Sequence, residues 1–235
     1  MPNFSKMLNM KELVVSDSPK LTEVPGLDKS LSSMTLINMR KCTNLSAHLR
    51  KNVLRGWTSC GFDGIFLHGN YVPDWFEFVN EGTKVTFNIP PSDGHNFEGL
   101  TLFCLRRSYV SSHLAIIVIN NIQRTELQAY IGREASDYHP NGDDYLLQGQ
   151  LSNSKLNLQG GDKVDILFEN PAISITRTGV NLVWDKPMKE NMYDLDKAGY
   201  VFDTHPTRFY DEGGPSHEAS DNNRPRKQMR ITIDD

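Results

Sequence analysis

The stretch GTKVTFNIPP, residues 82–91, decides how the middle of this chain is read. Val85, Phe87 and Ile89 alternate with Thr86 and Asn88, the period of two that sends apolar side chains to one face of a strand and polar ones to the other. Pro90-Pro91 then removes two backbone donors and stops the strand. Working outward, residues 100–105 and 114–119 are almost continuously apolar, as strands buried on both faces are. Residues 126–131 alternate less cleanly, and 145–151 and 155–158 carry weaker strand signals. Residues 163–169 and 173–184 complete the set, the last interrupted at Thr178-Gly179. Turn chemistry separates these runs: Asn80-Glu81-Gly82, Ser92-Asp93-Gly94, Asn141-Gly142 and Gly160-Gly161-Asp162. Short strands at regular spacing with no helical segment between them predict a β-sandwich, of jelly-roll or Ig-like type. The lack of crossover helices argues against a parallel α/β sheet.

Upstream, the pattern is a repeat. Met10, Leu13, Val15, Ser18 and Leu21 recur as Met34, Ile37, Met39, Cys42 and Leu45, each displaced by the same 24 positions. That period lies within the range of about 20–29 residues of leucine-rich repeats. Leu13 and Val15 are expected to alternate on a short strand and bury their side chains in a solenoid core, with Ser18 and Cys42 in the turn that follows. A pair of amphipathic helices fits some of these spacings, but Ser16-Asp17-Ser18-Pro19 would break the first at once. Val24-Pro25 closes the first unit, whereas the second has His48-Leu49 there, as expected where an array stops. Two repeats cannot form a stable solenoid alone, so they must lean on the sandwich.

The organisation expected is therefore mainly β. Terminal leucine-rich repeats and a junction occupy 1–60, a jelly-roll/Ig-like sandwich 61–184, and a polar, disordered tail 185–235. The tail contains Gly213-Gly214-Pro215 and few apolar clusters. A formal charge of -4 over 235 residues is too small to steer the chain towards nucleic acid or membranes, so no direct nucleic-acid binding is expected. No basic-then-apolar segment follows Met1, and the apolar run 114–119 is too short to span a bilayer. Cys42, Cys60 and Cys104 are odd in number and form no CxxC pair, which reads as reduced thiols in a cytoplasmic setting. Arg224-Pro225-Arg226-Lys227 offers either a nuclear-import signal or, more simply, a solvated charge run.

Catalytic signatures are missing. The chain has no GxxxxGK[ST], GxGxxG, GxSxG or HExxH, and its histidines form no HxH pair. The carboxylate pairs Asp143-Asp144 and Asp211-Glu212 fall in expected loop or tail and read as solvated charge. The expectation is no enzyme, no cofactor and no metal. Loop aromatics are the remaining resource: Tyr109 follows Arg106-Arg107, and Tyr138-His139 precedes Asp143. Tyrosine and arginine are the types that dominate binding hot spots.

Between repeats and sandwich lies LHGNYVPDWF, residues 67–76. Gly69-Asn70 suits a turn, Pro73 sets the direction of the chain, and Trp75-Phe76 are expected to pack as a structural pin at the junction. This segment, followed by Gly82-Thr83-Lys84-Val85-Thr86-Phe87-Asn88-Ile89-Pro90-Pro91, resembles the C-terminal jelly-roll and Ig-like domain that follows the leucine-rich repeats of plant TIR-NB-LRR disease-resistance receptors. Asn96-Phe97-Glu98-Gly99-Leu100 and Thr178-Gly179-Val180-Asn181-Leu182-Val183 resemble further strands of that domain, with Thr178 where the family commonly has cysteine. Gly161-Asp162-Lys163-Val164 departs from its usual Asp-His. The resemblance covers residues 8–184 and implies a non-catalytic role in plant defence, in which exposed repeat strands and sandwich loops contact a pathogen effector or other domains of the full-length receptor. The candidates on the repeat strands, expected to be exposed, are Glu12, Val14, Ser16 and Asp17, then Leu36, Asn38, Arg40 and Lys41. Those in the loops are Arg106, Arg107, Tyr109, Tyr138 and His139. The alternative is a glycan-binding or hydrolytic jelly roll, for which the sequence offers no organised set of aromatic platforms or paired carboxylates.

Overall fold

Two apolar residues per rung are enough to line up the repeats. In the computed structural model, β1 (Glu12–Val15) and β2 (Leu36–Met39) pair in parallel with Leu13 opposite Ile37, the 24-residue offset read from the sequence. The structure describes residues 4–58, 61–92, 94–107, 114–131, 144–170, 174–185 and 228–231, with backbone alone for 61–62 and 228–231. After β2, Ser46 caps helix α1 (Ala47–Gly56) by accepting from the Leu49 N–H at 3.0 Å, and the helix buries Leu49, Val53 and Leu54. Trp57 ends it and donates its indole N–H to the Met34 carbonyl at 2.8 Å, tying helix to repeat.

The next strand, β3 (Gly61–His68), lies outside the 24-residue periodicity, yet it pairs in parallel with β2, with Ile65 opposite Ile37. The array therefore does not stop after two units. The third rung escapes the periodicity because 65 − 37 is 28 rather than 24. The second unit carries the whole of α1 where the first has only the short 3-10 turns Leu27–Lys29 and Leu31–Ser33.

The remaining elements are β4 (Phe78–Glu81), β5 (Lys84–Asn88), β6 (Phe97–Arg107), β7 (Leu114–Asn120), β8 (Thr125–Ile131), β9 (Asp144–Ser152), the short helix α2 (Asn153–Leu156), β10 (Lys163–Glu169), β11 (Ser174–Trp184) and β12 (Gln228–Ile231). One sheet runs β12-β1-β2-β3-β9-β6-β11-β4 and the other β5-β10-β7-β8. Because β3 is parallel to β2 and antiparallel to β9, repeats and sandwich share a single continuous sheet. The expected boundary at 60/61 falls at the first residue of that shared strand. The fold is mainly β, two sheets forming a sandwich, as the strand pattern predicted.

The shared sheet has a core on each side. Leu13, Ile37, Ile65, Leu67, Phe103 and Leu105 face α1 and the repeat turns. Phe66, Val85, Phe87, Leu102, Ile116, Leu147, Ile166 and Val180 fill the space between the sheets. Val85, Phe87 and Ile89 are buried as their alternation required. The weak signal at 145–151 proves to be β9, a central strand with helix-side and sandwich cores on its two faces, which explains why it does not alternate. Conversely, the apolar run in β7 is buried on one face only, and Ile117 and Ile119 are half-exposed on the outer side of the second sheet. The strand expected at 155–158 is displaced by α2, where Ser152 accepts from the Ser154 N–H and Asn157 closes the turn at φ 52°. β11 is not broken at Thr178-Gly179: Thr178 is buried and donates to the Gly82 carbonyl at 3.1 Å, and Gly179 lies against Phe103. Most of the tail lies outside the described residues, but Gln228–Ile231, expected within a disordered segment, pairs in parallel with β1.

Candidate functional site

Strand direction gathers charged residues along one rim of the shared sheet. β1, β2 and β3 are mutually parallel, and β6, two antiparallel steps from β3, runs the same way. Their C-terminal ends and the start of β9 therefore lie side by side. Asp17 and Lys41 leave the first two strands at equivalent repeat positions, with φ 54° and 59°, the left-handed turn that lets the chain leave the sheet. Lys41 Nζ reaches Asp17 Oδ1 at 2.7 Å. At the third rung, the Gly69 N–H donates to the Asp144 carbonyl at 2.7 Å, and Arg50 from α1 donates to the His68 and Leu45 carbonyls at 2.7 and 3.1 Å. Arg107 stands opposite Asp144 and donates from Nε and Nη2 to its two carboxylate oxygens, at 2.9 and 3.1 Å. This fork geometry holds both side chains in place better than a single contact would.

The rim therefore presents Asp17, Lys41, Asp144 and Arg107 as alternating charges already paired with one another. Surface ion pairs of this kind each contribute under about 1 kcal/mol to stability, so a partner can re-pair them at small cost. By sequence alone Asp144 is a loop charge; the register that sets it against Arg107 gives it a role.

Other candidates are corrected by burial. Glu12, Leu36, Asn38, Arg40 and Arg106, expected to be exposed, are only 2, 5, 8, 6 and 3% exposed. The reason is the shared sheet. In a free-standing solenoid, residues alternating with the core face solvent; here that face continues into the sandwich, and Leu36 joins the core between the sheets beside Phe66. The guanidiniums of Arg40 and Arg106 lie 5.8 and 5.7 Å from the centre of the Phe66 ring, close enough for cation–π attraction. Asn38 Oδ1 accepts from both the Arg40 Nε at 3.1 Å and its backbone N–H at 3.3 Å. Burial lowers the Arg106 pKa, and the neighbouring Arg40 charge lowers it further. Val14 and Ser16 are half-buried. Tyr109, Tyr138 and His139 lie outside the described residues, but the segments that carry them adjoin Arg107 and Asp144 in sequence.

The Trp75-Phe76 pair divides in function. Phe76 is buried and meets Phe103 edge-on, with centroids 4.6 Å apart. Trp75 is only half-buried, and the Arg55 guanidinium lies 4.7 Å from its ring centre. Phe76 is the pin; Trp75 stands at the surface beside α1. Among the described residues no group of three His, Cys, Asp or Glu side chains could hold a metal ion, and no helix is long and apolar enough to cross a membrane.

No family model matches the chain, and no curated protein matches it. Among solved structures it is similar to an uncharacterized protein of Listeria monocytogenes EGD-e, at 19% identity and a TM-score of 0.26, over 53% of this chain and 10% of that one. It is also similar to a GH26-CBM35 β-(1,4)-mannanase of Podospora anserina, at 15% identity and a TM-score of 0.27, over 55% of this chain and 28% of that one. The chain thus spans well under two thirds of either protein, and at these TM-scores neither likeness bears on function.

Proposed function

We infer that this chain is a non-catalytic recognition module of a plant intracellular immune receptor, and that the charged rim of its shared sheet is where a pathogen effector protein binds. The observation that carries the reading is the convergence of repeat rungs and sandwich on one sheet edge, where Asp17, Lys41, Asp144 and Arg107 lie together. The sequence motif that carries the family resemblance lies at the same seam, with Phe76 packed on Phe103. A rim of paired charges set on strand ends suits protein recognition, because it steers encounter and fixes register. The setting is cytoplasmic, and other domains of a full-length receptor are the second class of partner.

The test is pairwise binding of the full chain to a panel of secreted pathogen effector proteins. A rim variant carrying Lys41→Glu and Arg107→Glu is compared in parallel, with thermal melting as the control for folding. A saturable binder lost in the folded rim variant supports the reading. A binder that tolerates both reversals refutes the rim. Charge reversal at Arg40 or Arg106 is unsuitable, because both are buried and the change would report on folding.

A further inference from the structure

The outer edge of the repeat array is filled by a strand from the far end of the chain. β12, four residues long, lies parallel to β1 with Met229 opposite Leu13 and Ile231 opposite Val15. That is the relation in which β2 meets β1 from the other side, with Ile37 opposite Leu13. The sequence fits the role. Gln228-Met229-Arg230-Ile231 has apolar residues second and fourth, as do Glu12-Leu13-Val14-Val15 and Leu36-Ile37-Asn38-Met39. β12 thus stands where one further rung of the array would stand. It arrives there from about 40 residues beyond β11, a strand near the opposite edge of the sheet.

A connection of that length sets no register. In a hairpin the turn decides which residues face each other; here the edge of β1 must select them itself. A slip by one residue would set polar residues, such as Gln228 and Arg230, opposite Leu13 and Val15, which are 0 and 1% exposed in the repeat core. An uncovered strand edge offers a row of N–H and C=O groups, a template for any extended segment. Binding of this kind takes its affinity from main-chain hydrogen bonds and its selectivity from alternate side chains. Among the described residues β1 is the one strand neighbour of β12. So short a strand, paired on one side only, belongs to the parts of a fold that open most readily.

We propose that the outer edge of β1 is a peptide-binding site, which takes an extended segment in parallel with apolar residues at its second and fourth positions. The chain's own C-terminal strand is its resident, displaceable occupant. A strand tethered to its own chain competes with a free one at an effective concentration of roughly millimolar, so the site is held closed against weak ligands and yields to stronger ones. The site needs no contribution from the charged rim and stands or falls independently of it.

The experiment empties the site in the full chain and refills it from outside. A chain carrying Met229→Pro and Arg230→Pro loses the backbone donor to β1 whichever of these neighbours supplies it. Met229→Ser with Ile231→Ser is a milder way to release the strand, and gives the same result if the proline variant folds poorly. The probe is a fluorescein-labelled peptide of residues 226–235, followed by anisotropy. It binds the emptied chains saturably, in the micromolar to millimolar range, and wild type about tenfold more weakly or worse. Bound peptide slows amide exchange in Glu12–Val15, which locates it on β1. The same peptide with Met229→Ser, Ile231→Ser and Ile233→Ser loses at least about tenfold in affinity. The proposal is overturned if the emptied chains bind no peptide, if wild type binds it equally well, if the serine peptide binds as tightly, or if protection appears elsewhere than in Glu12–Val15.

Discussion

Replacing Gly179 by alanine tests the packing of the shared sheet where this glycine meets Phe103. A Cβ built there would lie 2.1 Å from Phe103 Cε1, 2.8 Å from Cδ1 and 3.0 Å from Cζ. Ordinary contact begins near 3.4 Å, so the ring must retreat by at least 3.4 − 2.1 = 1.3 Å. It has nowhere to go: Phe103 is 1% exposed and is met edge-on by Phe76. Gly179 does not occupy left-handed backbone, so the penalty is steric rather than conformational. Overpacking of this severity costs about 3 kcal/mol, against which alanine recovers about 0.4–1 kcal/mol by restricting the unfolded chain. The net loss of about 2 kcal/mol corresponds to a fall in Tm of about 4–8 °C for a cooperatively unfolding unit of this size. Urea denaturation of Gly179→Ala, Phe103→Leu and the double variant gives a double-mutant cycle. The shortened side chain at 103 is expected to relieve the clash, with a favourable coupling of about 1 kcal/mol or more. A Gly179→Ala variant within about 0.5 kcal/mol of wild type, or strictly additive changes, would refute the account.

Phe76→Ala should destabilise the chain by roughly 3–5 kcal/mol in urea titration, and Trp75→Ala by only about 1–2 kcal/mol, because the indole is half-buried; equal losses would contradict the division of roles. Cys104 is pushed from 9.0 up to about 12 by burial, so above pH 9.0 the unfolded chain releases a proton that the folded chain keeps. Stability should therefore fall as pH rises from 9.0 towards 12, and Cys104→Ala should flatten that slope in denaturation midpoints measured across the window. Truncation after Arg226 removes β12 and should accelerate amide exchange in Glu12–Val15, the strand it pairs with; unchanged protection there would show that the pairing contributes nothing.

The buried arginines illustrate how context reverses a surface assignment. Arg40 follows a repeat strand and Arg106 is the last residue but one of a sandwich strand, so each alone reads as a solvated charge near an element's end. In the folded chain both guanidiniums stand beside Phe66, on the face that the sandwich turns inward. A charge there is retained by its ring and hydrogen-bond contacts, and either residue replaced by an acid would be strongly destabilising.

Much of the fold was legible from local pattern. Alternation at Val85, Phe87 and Ile89 placed β5 and its buried face, and the recurrence of Leu13 and Val15 as Ile37 and Met39 placed two parallel strands in register. Both signals are periodic: the period of two in a pleated strand is set by backbone geometry, and equal unit length keeps equivalent residues of the first two rungs 24 positions apart. Pairing between distant segments leaves no such trace. That β3 serves as third rung and first sandwich strand follows from hydrogen bonding to β2 and β9, and a 28-residue spacing hides it from the repeat. The same non-local register turned Glu12, Asn38 and Arg40 inward and set Arg107 against Asp144 on the rim. The sequence alone determined which segments would be strands and which faces could be apolar; which faces meet, and so which polar residues remain available to a ligand, was decided by tertiary structure, because burial depends on what packs opposite.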